Sequence, residues 1–147
     1  MKELLANALQ ALPHGPEFRF LDRLLALDPG KSGTAEYFVR GDEPFLRGHF
    51  PGQPLFPGVL LIEGAAQLAG TVAQSDPHHQ PLTGLKLTAL HGVKILGTAR
   101  PGEVIQFAAR IAGRMGNLIQ AEASASVGGR VVIQAQITLS GESTGQA

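Results

Sequence analysis

The sequence has no cysteine, no net charge and no long apolar run, and each absence excludes a class of protein. Without cysteine among its 147 residues, the chain forms neither disulfides nor thiolate metal sites. Lysine plus arginine and aspartate plus glutamate number 12 each, so no overall field recruits nucleic acid or an anionic membrane. No segment reaches about 18 consecutive apolar residues, and the N-terminus lacks the apolar core of a signal peptide. We therefore expect a cytoplasmic protein without a nucleic-acid or membrane partner.

The composition that remains supports one hydrophobic core and many turns. Hydrophobic residues make up 44% of the chain, which is ordinary for a folded domain. The 19 glycines and 10 prolines therefore indicate frequent turns rather than disorder. We expect one domain over residues 1–147, with an N-terminal helix over 1–12 and a loose tail over 141–147.

The spacing of apolar residues predicts five or six strands and one long helix. The helix is predicted over residues 57–74 and the strands over 18–27, 34–40, 82–96, 104–111, 118–127 and 131–139. Short links favour antiparallel pairing, and the helix follows the second strand, so the fold class is α+β. A helix that is apolar on all sides must be covered, and one curved sheet covers it only in part. We therefore expect a second copy to cover the rest, as a homodimer.

Two ionisable residues in the segment 47–70 are candidates for a reaction site. His49 lies in a loop rich in proline and glycine, and Glu63 lies inside the nearly uncharged helix. A carboxylate in such a helix is costly unless it is paired or used. A neutral imidazole serves as a base near neutral pH, and a partly buried carboxyl group can retain a proton to donate.

The start of the helix adds two backbone donors to this pair. The amides of Gly58 and Val59 are free to bind a carbonyl oxygen that gains negative charge. Gln67 lies one helical turn after Glu63, on the same face, and can orient it. Base, acid and oxyanion site together suit removal of a proton α to a carbonyl, with loss of a β-hydroxyl group.

Spacing alone leaves structural alternatives open. A histidine in a turn-rich loop is often structural or solvated, and Glu63 could instead cap a loop or meet an arginine at a dimer interface. A metal site is not indicated, because the HExxH motif is absent and His78-His79 lacks a third ligand at a recognisable spacing.

One long, ordered motif resembles a known enzyme family. The residues are His49-Phe50-Pro51-Gly52, Pro54, Pro57-Gly58-Val59, Ile62-Glu63 and Ala66-Gln67. In this order they resemble the β-hydroxyacyl-[acyl-carrier-protein] dehydratases of fatty acid synthesis. Weaker similarity extends over residues 12–140, from the opening segment Leu12-Pro13-His14 to the later turn Arg100-Pro101-Gly102-Glu103. The resemblance implies a hot-dog fold and a homodimer with its active sites at the interface, with a trimer of dimers as a further possibility.

The resemblance also implies a role for each matched residue. His49 would take the α-proton, Glu63 of the other subunit would protonate the departing hydroxyl, and Gln67 would support Glu63. The amide of Gly58, with that of Val59, would hold the thioester carbonyl. The loop residues Phe50, Pro51 and Gly52 would support the site. Glutamate rather than aspartate at position 63 is typical of the branch that only dehydrates.

The same resemblance implies the ligands. The acyl chain would lie in an apolar tunnel along the helix, with phosphopantetheine reaching in from a carrier protein, and no metal or redox cofactor is implied. The sequence does not decide whether the acyl thioester is carried on a carrier protein or on coenzyme A, and it does not fix the length of the acyl chain. Two other hot-dog functions stay open at this point: an acyl thioesterase, and a catalytically idle acyl-binding subunit.

Some positions depart from the family pattern. Gly15-Pro16-Glu17 replaces the usual Arg-Tyr-Pro, and residues 94–98 lack the usual basic-aromatic run. Because carrier proteins are acidic, fewer cations weaken the expected docking surface and favour a specialised pathway. The remaining candidate cations are Lys86, Lys94, Arg100, Arg110 and Arg114. The other histidines are expected to be structural or solvated: His14, His78, His79 and His91.

Overall fold

A computed structural model describes residues 2–143 as two helices and six strands. Short 3-10 turns at Pro16–Phe18 and Pro44–Arg47 lie between the longer elements. In chain order these are α1 (Lys2–Gln10), β1 (Arg23–Asp28), β2 (Ser32–Phe38), α2 (Gly58–Gln74), β3 (Leu82–Ile95), β4 (Val104–Met115), β5 (Leu118–Val127) and β6 (Arg130–Ser143).

The six strands form one antiparallel sheet in the order β1-β2-β4-β5-β6-β3. Tight turns join β1 to β2, β4 to β5 and β5 to β6. The predicted hairpin at Gly128-Gly129 is present, with Val127 opposite Arg130 and both glycines at positive φ, where other residues are strained. Strand β3 follows α2 in the chain and pairs with β6 at the end of the sheet opposite β1.

Helix α2 is the centre of the core. It contacts five strands, β2 to β6. Pro57 precedes its first turn and Ser75 ends it, close to the predicted boundaries. At Gly64 a Cβ atom would lie 2.5 Å from the ring of Phe107, so glycine is what lets the helix approach β4 this closely. The α+β class and the sheet curved around one long helix, the hot-dog arrangement, are confirmed.

The expectation that one chain leaves α2 partly uncovered holds only at the first turn of the helix, where Val59 is 68% exposed. From Leu61 to Ala73 all residues of α2 are buried except Glu63. The chain before β1 covers the face that the sheet leaves open, and it is held there by Gln67, which bonds to the backbone of Phe18 and Phe20. Exposed apolar residues outside α2 include several along β3.

Several predicted boundaries also differ from the structure: α1 ends at Gln10 rather than at residue 12, β2 spans Ser32–Phe38, and β4 continues to Met115. Strand β1 begins at Arg23 rather than at residue 18, because Gln67 fixes residues 18–20 as an irregular segment. Strand β6 continues to Ser143, so the loose tail does not begin at Gly141, whose amide donates to Asn117 O at 3.1 Å. Residues 144–147 of that expected tail lie outside the described residues. Within residues 2–143, neither helix is long and apolar enough to cross a membrane.

Candidate active site

Glu63 is the single charged residue of α2, and its side chain is 22% exposed. Gln67 Nε2 donates to Glu63 Oε2 at 3.0 Å, a contact that the one-turn spacing allows. Gln67 is buried and is itself held, because it donates to Phe18 O and accepts from Phe20 N, each at 2.9 Å. The carboxylate in the apolar helix is therefore oriented by an amide group that cannot rotate freely.

A second side chain reaches the same carboxylate from the N-terminal segment. His14 Nε2 lies 3.3 Å from Glu63 Oε2, and the His14 side chain is 28% exposed. Sequence reasoning expected His14 to be structural or solvated, and so it did not place His14 beside Glu63. The two residues are far apart in the chain, and no periodicity relates them. The sequence feature that could have indicated a role for His14 was the segment Leu12-Pro13-His14, which is similar to the opening segment of the family.

His49 lies in a small loop that its own backbone closes. Leu55 N donates to His49 O at 2.7 Å, and Phe50 and Gln53 exchange two backbone hydrogen bonds. His49 Nδ1 lies 3.0 Å from Leu55 O. Because a carbonyl oxygen only accepts, Nδ1 carries the hydrogen, and Nε2 of the neutral ring keeps a free lone pair. The ring is half-buried and stacks on Phe50, with 4.4 Å between the ring centres. This His49 can act as a base through Nε2.

A buried network supports the chain that leads into this loop. Glu43 accepts from the Tyr37 hydroxyl at 2.7 Å and from the amides of Arg40 and Gly41. Burial, and then the bond to Glu43, raise the pKa of Tyr37. Burial alone would raise the pKa of Glu43, but the hydrogen bonds from Tyr37, Gly41 and Arg40 lower it. From Glu43 two backbone bonds continue through Leu46 to His49.

The first turn of α2 presents the two predicted backbone donors. The amides of Leu60 and Leu61 both donate to Pro57 O, at 3.0 and 3.1 Å. The amides of Gly58 and Val59 come before them and have no acceptor within the helix. A Cβ atom at Gly58 would lie 3.1 Å from Ile95 Cδ1, so glycine lets the end of β3 pack against the start of α2.

A cavity of about 760 Å³ runs along α2. Its walls include His14, Glu63 and Gln67, and further along the same helix face Gly70 and Thr71. Its other walls come from residues 8–13 and from strand β3. His49 does not line it, so one chain brings Glu63 and Gln67 together but leaves His49 apart.

A hollow of about 890 Å³ on the sheet includes none of these side chains. Within residues 2–143, no cluster of three or more His, Cys, Asp or Glu residues is placed to hold a metal ion.

Exposed apolar residues form a surface beside the start of α2. Strand β3 ends the sheet, and its outer edge pairs with no strand of residues 2–143. We call the exposed residues Leu90, Val93, Ile95 and Leu96 the β3 edge surface. Val59, which is 68% exposed, follows Gly58 and so lies next to this surface.

The fold and the motif together are those of a known protein family. Residues 12–136 match the FabA-like domain, so the chain belongs to the FabA-like domain family. The chain is 35% identical to a "3-hydroxyacyl-[acyl-carrier-protein] dehydratase FabZ" of Pediococcus pentosaceus over 130 residues, 88% of this chain and 87% of that protein. It is 30% identical to the protein of the same name from Chloroflexus aggregans over 126 residues, 86% of this chain and 87% of that one. The resemblance read from the motif is confirmed.

The solved structures support the same fold. A chain of the dehydratase heterocomplex ApeI:P from Xenorhabdus doucetiae superposes with a TM-score of 0.76. The match covers 95% of this chain and 92% of that chain at 15% sequence identity. At this identity the likeness shows the fold alone.

Proposed function

We propose that the protein dehydrates a β-hydroxyacyl thioester carried on an acyl carrier protein, giving the trans-2-enoyl thioester and water. The observation that carries the proposal is the placement of Glu63. It is the single charge of an apolar helix, it is oriented by Gln67, and it lines an elongated cavity. Membership of the FabA-like family and the dehydratase function for which the relatives are named support the same chemistry.

Each candidate residue has one task in this reaction. His49 Nε2 removes the α-proton, and the charge that develops on the thioester oxygen is held by the amides of Gly58 and Val59. Glu63 gives its proton to the β-hydroxyl group as the Cβ–O bond breaks, so that water leaves. The proton balance closes because the base gains one proton and the acid loses one. Phe50, Pro51 and Gly52 support the site by shaping the loop that presents His49.

The cavity along α2 is the proposed acyl site. Small residues on the helix face leave room for a chain, among them Ala66 and Gly70. From Glu63 to Gln74 the helix rises by about 16 Å, at ~1.5 Å per residue, so an extended acyl group fits beside it.

We further propose that the active unit is a homodimer that combines His49 of one chain with Glu63 of the other. His49 does not line the cavity that contains Glu63 of its own chain. An open strand edge with exposed apolar side chains is suited to pairing with a second copy, and the β3 edge surface has both properties. A trimer of dimers and a cytoplasmic location stay predictions.

Lys86 is the proposed contact for the acidic carrier or its phosphopantetheine, because it lines the cavity. Arg110 forms an ion pair with Glu122, and Arg114 donates to Gln80 O at 3.3 Å, so these two cations already have partners. Lys94 and Arg100 stay candidates for the outer part of the same docking surface.

A direct assay tests the proposed reaction. Purified protein is given enoyl thioesters of increasing chain length, on carrier protein and on coenzyme A, and hydration is followed as loss of enoyl absorbance. We expect hydration without release of free thiol, and faster turnover on the carrier protein. Release of free thiol would identify a thioesterase instead, and tight binding without turnover would identify an idle acyl-binding subunit.

A further inference from the structure

The two carboxylate oxygens of Glu63 have different surroundings. Gln67 Nε2 donates to Oε2 at 3.0 Å, and His14 Nε2 lies 3.3 Å from the same oxygen. Within residues 2–143, no hydrogen bond reaches Oε1. The carboxyl group therefore has one oxygen contacted by two nitrogen atoms and one oxygen without a hydrogen bond in this part of the chain.

The buried side of the His14 ring determines which nitrogen carries its hydrogen. Nδ1 is buried and has no hydrogen-bond partner within residues 2–143. A buried N–H without an acceptor is rarer and more costly than a buried acceptor without a donor. The neutral ring therefore carries its hydrogen on Nε2, the nitrogen that lies 3.3 Å from Glu63 Oε2.

His14 is also fixed in place from both sides. Arg19 Nη2 donates to Leu12 O at 3.1 Å and to His14 O at 3.2 Å, so one guanidinium group ties down the turn that carries the histidine. The ring stacks on Phe18 with 6.4 Å between the ring centres and 20° between the planes. Phe18 O is in turn bonded to Gln67. Both nitrogen groups near Oε2 thus belong to one connected frame.

We propose that His14 is a positioning residue for the dehydration: with Gln67 it directs N–H groups at Oε2, so that the acidic proton of Glu63 resides on Oε1. The inference rests on the proposed role of Glu63. As the Cβ–O bond breaks, the proton moves from Oε1 to the hydroxyl oxygen, and His14 neither gains nor loses a proton. In this structure the 3.3 Å contact is not a hydrogen bond, and we expect it to shorten into one as the carboxylate charge develops.

Three substitutions separate this role from simple packing. His14→Gln places an amide N–H at a reach similar to Nε2, His14→Asn is too short to reach Oε2, and His14→Leu fills space without a donor. We expect kcat to fall about tenfold or more in the Asn and Leu variants, with KM within about twofold of wild type, because the interaction strengthens in the transition state. The Gln variant should stay within about threefold of wild-type kcat. His78→Leu, at an exposed position, is the matched control.

The result that would overturn the proposal is equal behaviour of the Gln and Leu variants, whether both lose activity or both retain it. If His14→Leu fails to fold, the Gln and Asn variants test the proposal alone, since both side chains carry amides and differ only in reach. Equal kcat in these two variants would then overturn the proposal. In a Glu63→Gln background, His14→Asn should lower kcat no further, and a second full loss there would contradict action through Glu63. A Glu63→Gln enzyme that stays active would instead refute the role of Glu63 itself.

Discussion

The two ionisable groups of the site are held in opposite ways. Glu63 is surrounded by its own chain, with a hydrogen bond from Gln67, a contact from His14 and a cavity beside it. Within residues 2–143, the His49 ring bonds only to Leu55 O of its own loop, and His49 does not line the cavity that contains Glu63. In the proposed dimer, one chain supplies the surroundings of Glu63, whereas His49 reaches that site only from a second chain.

The physical cost of burial explains this difference. A carboxylate inside an apolar helix destabilises the fold unless donors from the same chain reach it, so those donors must be present before any partner arrives. A neutral imidazole in a surface loop carries no such cost. Its loop can therefore be shaped by backbone bonds alone and left open at an interface.

The largest expected effect comes from the base. His49→Asn keeps an N–H at the position of Nδ1, so the bond to Leu55 O can persist, but it removes the basic Nε2. We expect kcat to fall by about 10³-fold with little change in melting temperature, since general base catalysis contributes about 10²–10⁴. Steady-state hydration assays and thermal unfolding check this. A loss of melting temperature that parallels the loss of activity would mean that His49 is structural.

An intermediate effect on activity, with a larger one on stability, is expected at Gln67. Gln67→Leu leaves Phe18 O, Phe20 N and Glu63 Oε2 without their partner. We expect the free energy of unfolding to fall by about 2–4 kcal/mol and kcat to fall about tenfold. Chemical denaturation and kinetics measure the two quantities. Gln120→Leu, at an exposed position of β5, is the matched control. An unchanged kcat would show that Gln67 holds the N-terminal segment but does not orient the acid.

The smallest effect on activity is expected at Tyr37, which bonds a second buried carboxylate outside the cavity. Tyr37→Phe removes one donor from Glu43, and we expect a loss of about 1–3 kcal/mol in unfolding free energy at neutral pH with kcat unchanged. Because the folded pKa of Glu43 is lowered, its contribution is present above the unfolded pKa and is lost as pH falls through the folded value. Wild type should therefore lose more stability on acidification than the variant. Equal acid sensitivity of the two would contradict this account of Glu43.

Local patterns in the sequence predicted much of the fold and the site motif. The predicted helix 57–74 differs by one residue from α2, and the strand 118–127 coincides with β5, because glycines and prolines interrupt clear periodic runs. The contact between His14 and Glu63 was not predictable in this way. It depends on the path of the N-terminal segment over α2, which Gln67 determines through a long-range bond to Phe18 O and Arg19 through bonds to Leu12 O and His14 O. The same tertiary bonds converted the expected start of β1 into an irregular segment.

The central claim is that a working site joins His49 of one chain to Glu63 of another. His49→Asn and Glu63→Gln chains carrying different affinity tags are co-expressed, and the doubly tagged species is purified. Each variant alone should be nearly inactive, whereas a dimer containing one chain of each has one complete site and should regain about half of the wild-type turnover, as two-fold symmetry requires. A doubly tagged dimer as inactive as its parents, or no doubly tagged dimer at all, would contradict the shared site.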